Sequence, residues 1–248
     1  KQMALQKILL EQRDDLPYFC HMMDKNGFVS RLGKTITEFF RYRVTPEQLE
    51  TMSNQEGLSH SVQDKCRDMA SIYRRYEEFL SETYLTGDTT LSLLEEKLAS
   101  STAFADMEIW LDGFYGFTPQ EYGVIAQLLR LCKRVSITLP MDEHSYFASS
   151  LPPAAPFFEP HLTKQKLVSL AEEMGIAMES PVFFKENHRA KTPALAFLEK
   201  NYFYGYYKKS PDHEGIHICS CATRESEMAY AAGQILSLVR EQGLRYRD

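Results

Sequence analysis

The stretch EIWLDGFYGFTPQEYGVIAQLLRLCKRVSITLPMD, Glu108 to Asp142, reads as strand, tight loop, helix and second strand, and the rest of the chain is arranged around it. Glu108–Leu111 is a short apolar run containing Trp110, stopped by Asp112-Gly113, the pattern of a buried strand running into a loop. Thr118-Pro119-Gln120-Glu121 then predicts a helix start. Thr118 caps, Pro119 sits at the first helical position where its missing N–H costs nothing, and Glu121 completes a capping box. Tyr122, Ile125, Ala126, Leu129 and Cys132 follow at helical spacing, with Lys133 and Arg134 at the C-terminal end where cations suit the helix dipole. Val135–Leu139 is a second, β-branched strand. Strand, helix and strand in this order predict a parallel pair joined by a crossover.

Upstream, residues 1–102 read as a helical region. Met3, Leu5 and Ile8-Leu9-Leu10 mark a first helix, and Phe28, Leu32, Ile36 and Phe39-Phe40 a second. Thr45-Pro46-Glu47-Gln48 opens a short third, Val62 to about Leu85 forms a long fourth, and Thr89–Ala99 a fifth. Met69, Ile72, Tyr73, Tyr76, Phe79 and Leu80 lie on one stripe of the long helix. Residues 103–213 read as an α/β portion interrupted by a loop over 148–160 that carries four prolines. Leu162–Met174 is a helix closed by Gly175, Val182–Phe184 a candidate strand, and Pro193–Leu198 a short helix. Residues 214–248 read as the start of a second α/β domain: Ile216–Cys221 alternates as a strand, and Thr223 caps a helix with Met228, Ala231, Ala232, Ile235, Leu238 and Val239 inward.

The chain has 248 residues, 44% of them hydrophobic and 25% charged, ample for a globular core. It holds no apolar run long enough to span a membrane and no signal peptide, which predicts a protein without membrane association. The first residues lack an initiator Met and begin inside a helical pattern, so a piece of a longer protein is expected. A net charge of −6 argues against strong autonomous binding to nucleic acid, whose affinity rests on cations neutralising phosphates. The five cysteines are scattered, and Cys219-Ser220-Cys221 is too tight for a zinc knuckle, so reduced cytoplasmic thiols and no metal are expected.

Leu32-Gly33-Lys34-Thr35 ends like a phosphate-binding loop, but Gly27 is one residue too far upstream and the context is helical, which makes it a chance match. Asp112 at the end of an apolar strand stands where a nucleotide hydrolase holds Mg²⁺, yet its neighbour is Gly113 rather than a glutamate that would orient water. The plainer reading is a strand-end Asp bonded to loop amides. Single-stranded nucleic acid is gripped by cations interleaved with aromatic platforms. Tyr202 to Lys209 has that character through Tyr204, Tyr206, Tyr207, Lys208 and Lys209; Arg41, Tyr42 and Arg43 form a smaller version, and Arg224 opens the last helix. The plainer reading of the aromatic segment is packing with a solvated Lys tail.

IWLDGFYGFTPQE, with the distal ATRESEMAYAAGQILSLVREQGLRYRD and more weakly GFVSRLGKTITEFF, resembles the AddB component of the AddAB (RexAB) ATP-dependent helicase–nucleases. That component is in turn similar to superfamily 1 helicases. The resemblance implies a degenerate helicase-like, P-loop NTPase-like parallel sheet with a large helical insertion. Residues 1–102 then correspond to a 1B-like region with flanking 1A helices, 103–213 to a 1A-like portion, and 214–248 to a truncated 2A-like start. Against the active helicase pattern Asp112 and Pro119 survive, Gly113 replaces the catalytic Glu, and Tyr115 and Gly116 replace Gln-Asp. After Asn201-Tyr202, Phe203 stands where an arginine belongs. Asp112 is therefore a degenerate Walker B-like position, and no catalytic residue is expected here.

The resemblance also implies an AddA-type motor subunit as partner, contact with single-stranded and double-stranded DNA ends through the complex, and Chi recognition during double-strand break processing. ATP, Mg and the iron–sulfur cluster of the nuclease belong to the parent family, and none is expected to be held by this piece. Two alternatives stay open: an ATP-hydrolysing domain using Asp112 with residues outside this chain, and a protein–protein scaffold without DNA contact.

Overall fold

A computed structural model describes residues 1–83, 87–186, 190–202 and 208–247. The chain divides into two compact units, residues 1–181 and 182–248. In the first, five helices precede the strand–helix–strand segment: α1 Gln2–Glu11, α2 Phe28–Tyr42, α3 Pro46–Ser53, α4 His60–Thr83 and α5 Gly87–Ala99. Then come β1 Glu108–Leu111, α6 Pro119–Leu131, β2 Arg134–Ile137, α7 Glu143–Phe147 and α8 Phe158–Glu173. The second unit holds α9 Pro193–Asn201 and α10 Arg224–Glu241.

The helical layer closes over one core. Leu5, Ile8 and Leu9 of α1, Leu32 and Ile36 of α2, and Met69, Ile72, Tyr73 and Tyr76 of α4 are all buried. Each such aliphatic side chain contributes about 1.5–3 kcal/mol by leaving water. The aromatic stripe of α4 meets α2 directly: Tyr73 lies edge-on to Phe40 at 5.2 Å and tilted against Phe39 at 5.5 Å. Met3 and Leu10, expected on the inner face of α1, point outward instead, because three positions of the apolar run suffice to meet α4.

Two polar devices lock this layer. Arg74 of α4 donates to Glu50 at 2.7 Å and Glu47 at 3.2 Å on α3, pushing the guanidinium pKa up and, by its hydrogen bonds, holding the Glu50 carboxyl below its ordinary value. Asp68 is 2% exposed, and its Oδ2 accepts from Tyr18 N and Phe19 N, both at 2.9 Å. Burial raises its pKa and outweighs those two hydrogen bonds, which lower it.

The central unit forms as the sequence dictates. β1 and β2 pair in parallel, Glu108 opposite Arg134 through Leu111 opposite Ile137. The capping box is complete: Thr118 N donates to Glu121 Oε2 at 2.6 Å and Glu121 N to Thr118 Oγ1 at 3.4 Å. Thr45 with Gln48 caps α3 in the same way, and Thr223 with Ser226 caps α10. Mixed helices around a small parallel sheet fit the α/β class.

Several local expectations need correction. β2 runs Arg134–Ile137 rather than Val135–Leu139. α8 begins at Phe158, so the end of the proline-rich stretch is its first turn, where Pro160 lacks no helical bond it would otherwise make. Val182–Phe184 and Ile216–Cys221 form no ladder among the described residues. Val182, Phe184 and Ile218 are 81, 88 and 95% exposed. Alternation predicts a strand only if a neighbour supplies hydrogen bonds, and the second unit offers none among its described residues. For the same reason no residue of α10 is buried, although Met228, Ile235 and Leu238 share its apolar stripe.

Replacing Asp68 by Ala strands two buried N–H groups and should cost about 2–3 kcal/mol in urea unfolding. Asp68→Asn keeps an acceptor and removes the charge. With a raised folded pKa, the carboxyl's contribution is favourable below the raised value and is lost as pH rises through it. The Asn variant should therefore gain on the wild type between about pH 4 and pH 7, which paired unfolding curves at the two pH values would measure.

Candidate functional site

β1 and β2 end side by side, and one step beyond each stand Asp112 and Thr138. Leu111 O accepts from Thr138 N at 2.9 Å, and the Thr138 hydroxyl donates to Asp112 Oδ1. Asp112 is exposed, and its neighbour Gly113 turns the chain at φ +84°. That conformation is the reason a glycine stands here: a side chain at this φ is strained, so the loop as built leaves no room for a glutamate beside the aspartate.

The loop that follows is packed inside its own unit. Phe114 lies 4.9 Å from Phe117, and Phe117 meets Tyr122 edge-on at 5.7 Å. Thr163 of α8 donates to Tyr115 O at 3.1 Å, and a Cβ on Gly116 would stand 3.2 Å from the same hydroxyl. Gln120 in the first turn of α6 is 3% exposed and donates to Ser92 of α5 at 3.0 Å. Burial raises the Tyr122 phenol pKa, and the hydrogen bond with Thr163 opposes that rise. The next loop is tied to the same turn of α8. His161, 1% exposed, has Nδ1 2.9 Å from Ser145 O and Nε2 3.0 Å from Gln165 Nε2. The amide donates to Nε2, which leaves Nδ1–H to donate to the carbonyl. Lys164 Nζ donates to Tyr146 O at 3.0 Å and Gln165 to Ser149 O at 3.2 Å. Helix α8 thus holds the loops after both strands.

Asp112 is thus a lone carboxylate engaged by a neutral hydroxyl, and among the described residues no group of three or more His, Cys, Asp or Glu is placed to hold a metal ion. The residues present do not make up a Mg²⁺–nucleotide site, which needs more oxygen ligands and a water-positioning group.

The cationic candidates divide between the two units. Arg41 pairs with Glu38 at 3.2 Å, one turn back on α2. Arg43 ends α2 in the left-handed conformation at φ 54°, with Arg43 N bonded to Phe40 O and Val44 N to Phe39 O. Its guanidinium pairs with Glu95 of α5. Gly123 of α6 makes room for that pair, since a Cβ there would fall 2.1 Å from Arg43 Nη2. Arg43 thus ties three helices together. Lys208, Lys209 and Arg224 are exposed on the second unit, and Glu225 beside Arg224 has its pKa lowered by the backbone amide at the helix start and by Thr223. Tyr204, Tyr206 and Tyr207 lie outside the described residues. Sequence reasoning missed Thr138, His161, Thr163 and Gly123. Only Thr138 carried a signal, standing one step past a strand in register with Asp112.

A family model for the AddB N-terminal region ("ADDB, N-terminal") matches residues 1–199. Over its whole length the chain is 36% identical to the AddB-type component of an ATP-dependent helicase/deoxyribonuclease of Caldanaerobacter subterraneus subsp. tengcongensis. It is 34% identical to the protein of the same name in Thermoanaerobacter sp. strain X514 and 34% to that of Geobacillus kaustophilus. The chain spans about a fifth of the length of these curated relatives, 21–22%. It belongs to the AddB family of helicase/deoxyribonuclease components, and most of it corresponds to their N-terminal region. No described helix is long and apolar enough to cross a membrane.

Thr163→Val keeps the side-chain shape and removes the bond to Tyr115 O. Urea unfolding should show a loss of about 1–2 kcal/mol, and an unchanged midpoint would deny the hydroxyl its part in holding the loop.

Proposed function

We propose that this chain is a helicase-like, non-catalytic portion of the AddB component of an ATP-dependent helicase/deoxyribonuclease. In this reading it holds single-stranded DNA and an AddA-type motor subunit while double-strand break ends are processed and Chi is recognised. Its architecture is that of a degenerate superfamily 1 helicase: residues 1–102 1B-like with flanking 1A helices, 103–213 1A-like, and 214–248 the beginning of a 2A-like domain. The observation that carries the reading is the strand end at Asp112. Nucleotide hydrolysis there needs a carboxylate free for a metal and a second group to orient water. This chain instead has one carboxylate bonded to Thr138 and a glycine turned to φ +84°.

For the grip on DNA the support is compositional. Lys208 and Lys209 are exposed beside a run of aromatic residues, the combination that tracks a phosphate backbone and stacks bases. Arg41 and Arg43 are committed to ion pairs with Glu38 and Glu95. They contribute to the groove only if DNA displaces those partners.

Asp112→Ala in the full-length protein should leave ATP turnover unchanged. A tenfold or larger loss would favour the alternative in which Asp112 serves a hydrolytic site completed from elsewhere. The double change Lys208→Ala, Lys209→Ala should weaken single-strand binding by the full-length protein in complex with its partner. It should also flatten the salt dependence by about 1.4 in log–log slope, since each phosphate contact on a single strand contributes about 0.7. An unaltered slope would point instead to a protein–protein scaffold.

A further inference from the structure

The β1–β2 sheet is half a structure. Parallel strands are slightly weaker pairs than antiparallel ones and occur almost only with both faces covered. Here two strands of four residues stand alone among the described residues. On β1, Ile109 and Leu111 are half-buried on one face, whereas Trp110 on the other is 67% exposed. Trp110 is the chain's single tryptophan. The open side also lacks the usual protections of a true edge: β1 has no proline, no bulge and no lysine, and its one charge, Glu108, is tied to Lys133 at 3.7 Å.

The backbone says which side is open. Leu111 turns its carbonyl to β2, where it accepts from Thr138 N at 2.9 Å. Successive residues of a strand direct their N–H and C=O to opposite sides, so those of Trp110 point away from β2. The relatives say what is available to meet them, since the matched segment is only 21–22% of each.

We infer that a strand from the part of the polypeptide outside residues 1–248 pairs in parallel with the free edge of β1, taking the Trp110 amide as donor, and that the helix of its crossover covers the Trp110 side chain. β1 is then an interior strand, and Asp112 stands at the C-terminal end of a sheet's middle rather than at its rim. This rests on the parallel-sheet architecture proposed above, but its readout is backbone exchange and not nucleic-acid affinity, so the two fail separately.

The test is residue-resolved hydrogen exchange on the full-length protein, at two concentrations and with and without the motor subunit. Thr138 N–H, bonded to Leu111 O, is the internal reference for a formed sheet. The Trp110 N–H should exchange within about tenfold of it under every condition, as a bonded sheet amide does. Exchange of Trp110 at an open-chain rate while Thr138 stays protected would overturn the inference. So would protection of Trp110 that appears only at high concentration or only with the motor subunit, because the occupant would then be a second copy or another chain.

Discussion

Two parallel strands cannot be joined by a tight turn; the chain must leave one end of the first and return to the far end of the second. In this molecule that constraint organises everything around the strand-end at Asp112. Helix α6 makes the return, and its start is set by the Thr118–Glu121 capping box. That start fixes the length of the Asp112–Phe117 loop, and the loop in turn presents Gly116 and the Tyr115 carbonyl to Thr163 of α8. The helical layer is bolted to the same crossover from the other side, through Gln120 with Ser92 and through the Arg43–Glu95 pair seated over Gly123.

The chemistry at the strand end is decided by backbone geometry as much as by residue identity. A single carboxylate in water keeps its charge easily, and a threonine hydroxyl satisfies one of its oxygens without a cation. The glycine that follows is there because the chain turns into the left-handed region at once. Restoring a glutamate at 113 would have to rebuild the turn and, with it, the contacts of Phe114 with Phe117 and of Tyr115 with Thr163. The loop has been specialised for packing, and this fits a family segment whose proposed role is to hold rather than to hydrolyse.

Charges in the helical region behave in the same spirit. Arg41, Arg43 and Arg74 all find carboxylates within their own unit. Exposed pairs of this kind contribute little each, about 0–1 kcal/mol, but they fix orientation. Arg43 is the clearest case: it accepts a left-handed backbone at the end of α2, and its side chain then reaches α5 and α6. His161 plays a similar part on α8, where an imidazole sealed from water links Ser145 O to the Gln165 amide.

What could be read from residues alone was whatever is set within a few positions. Thr-Pro-x-Gln at 45 and Thr-Pro-x-Glu at 118 announce helix starts because the capping atoms and the proline ring are local. The α4 stripe announces a buried face because helical periodicity is local too. Asp112 was legible as a strand-end carboxylate with its second acid missing. Its engagement by Thr138, the diversion of Arg43 to Glu95, and the burial of His161 all join residues 16 to 52 positions apart. Such pairings exist only once helices and strands have been laid against each other. The segment Ile216–Cys221 marks the boundary from the other side: its alternation is that of a strand, but a strand is made by its neighbour's hydrogen bonds, and no pattern within six residues can supply them.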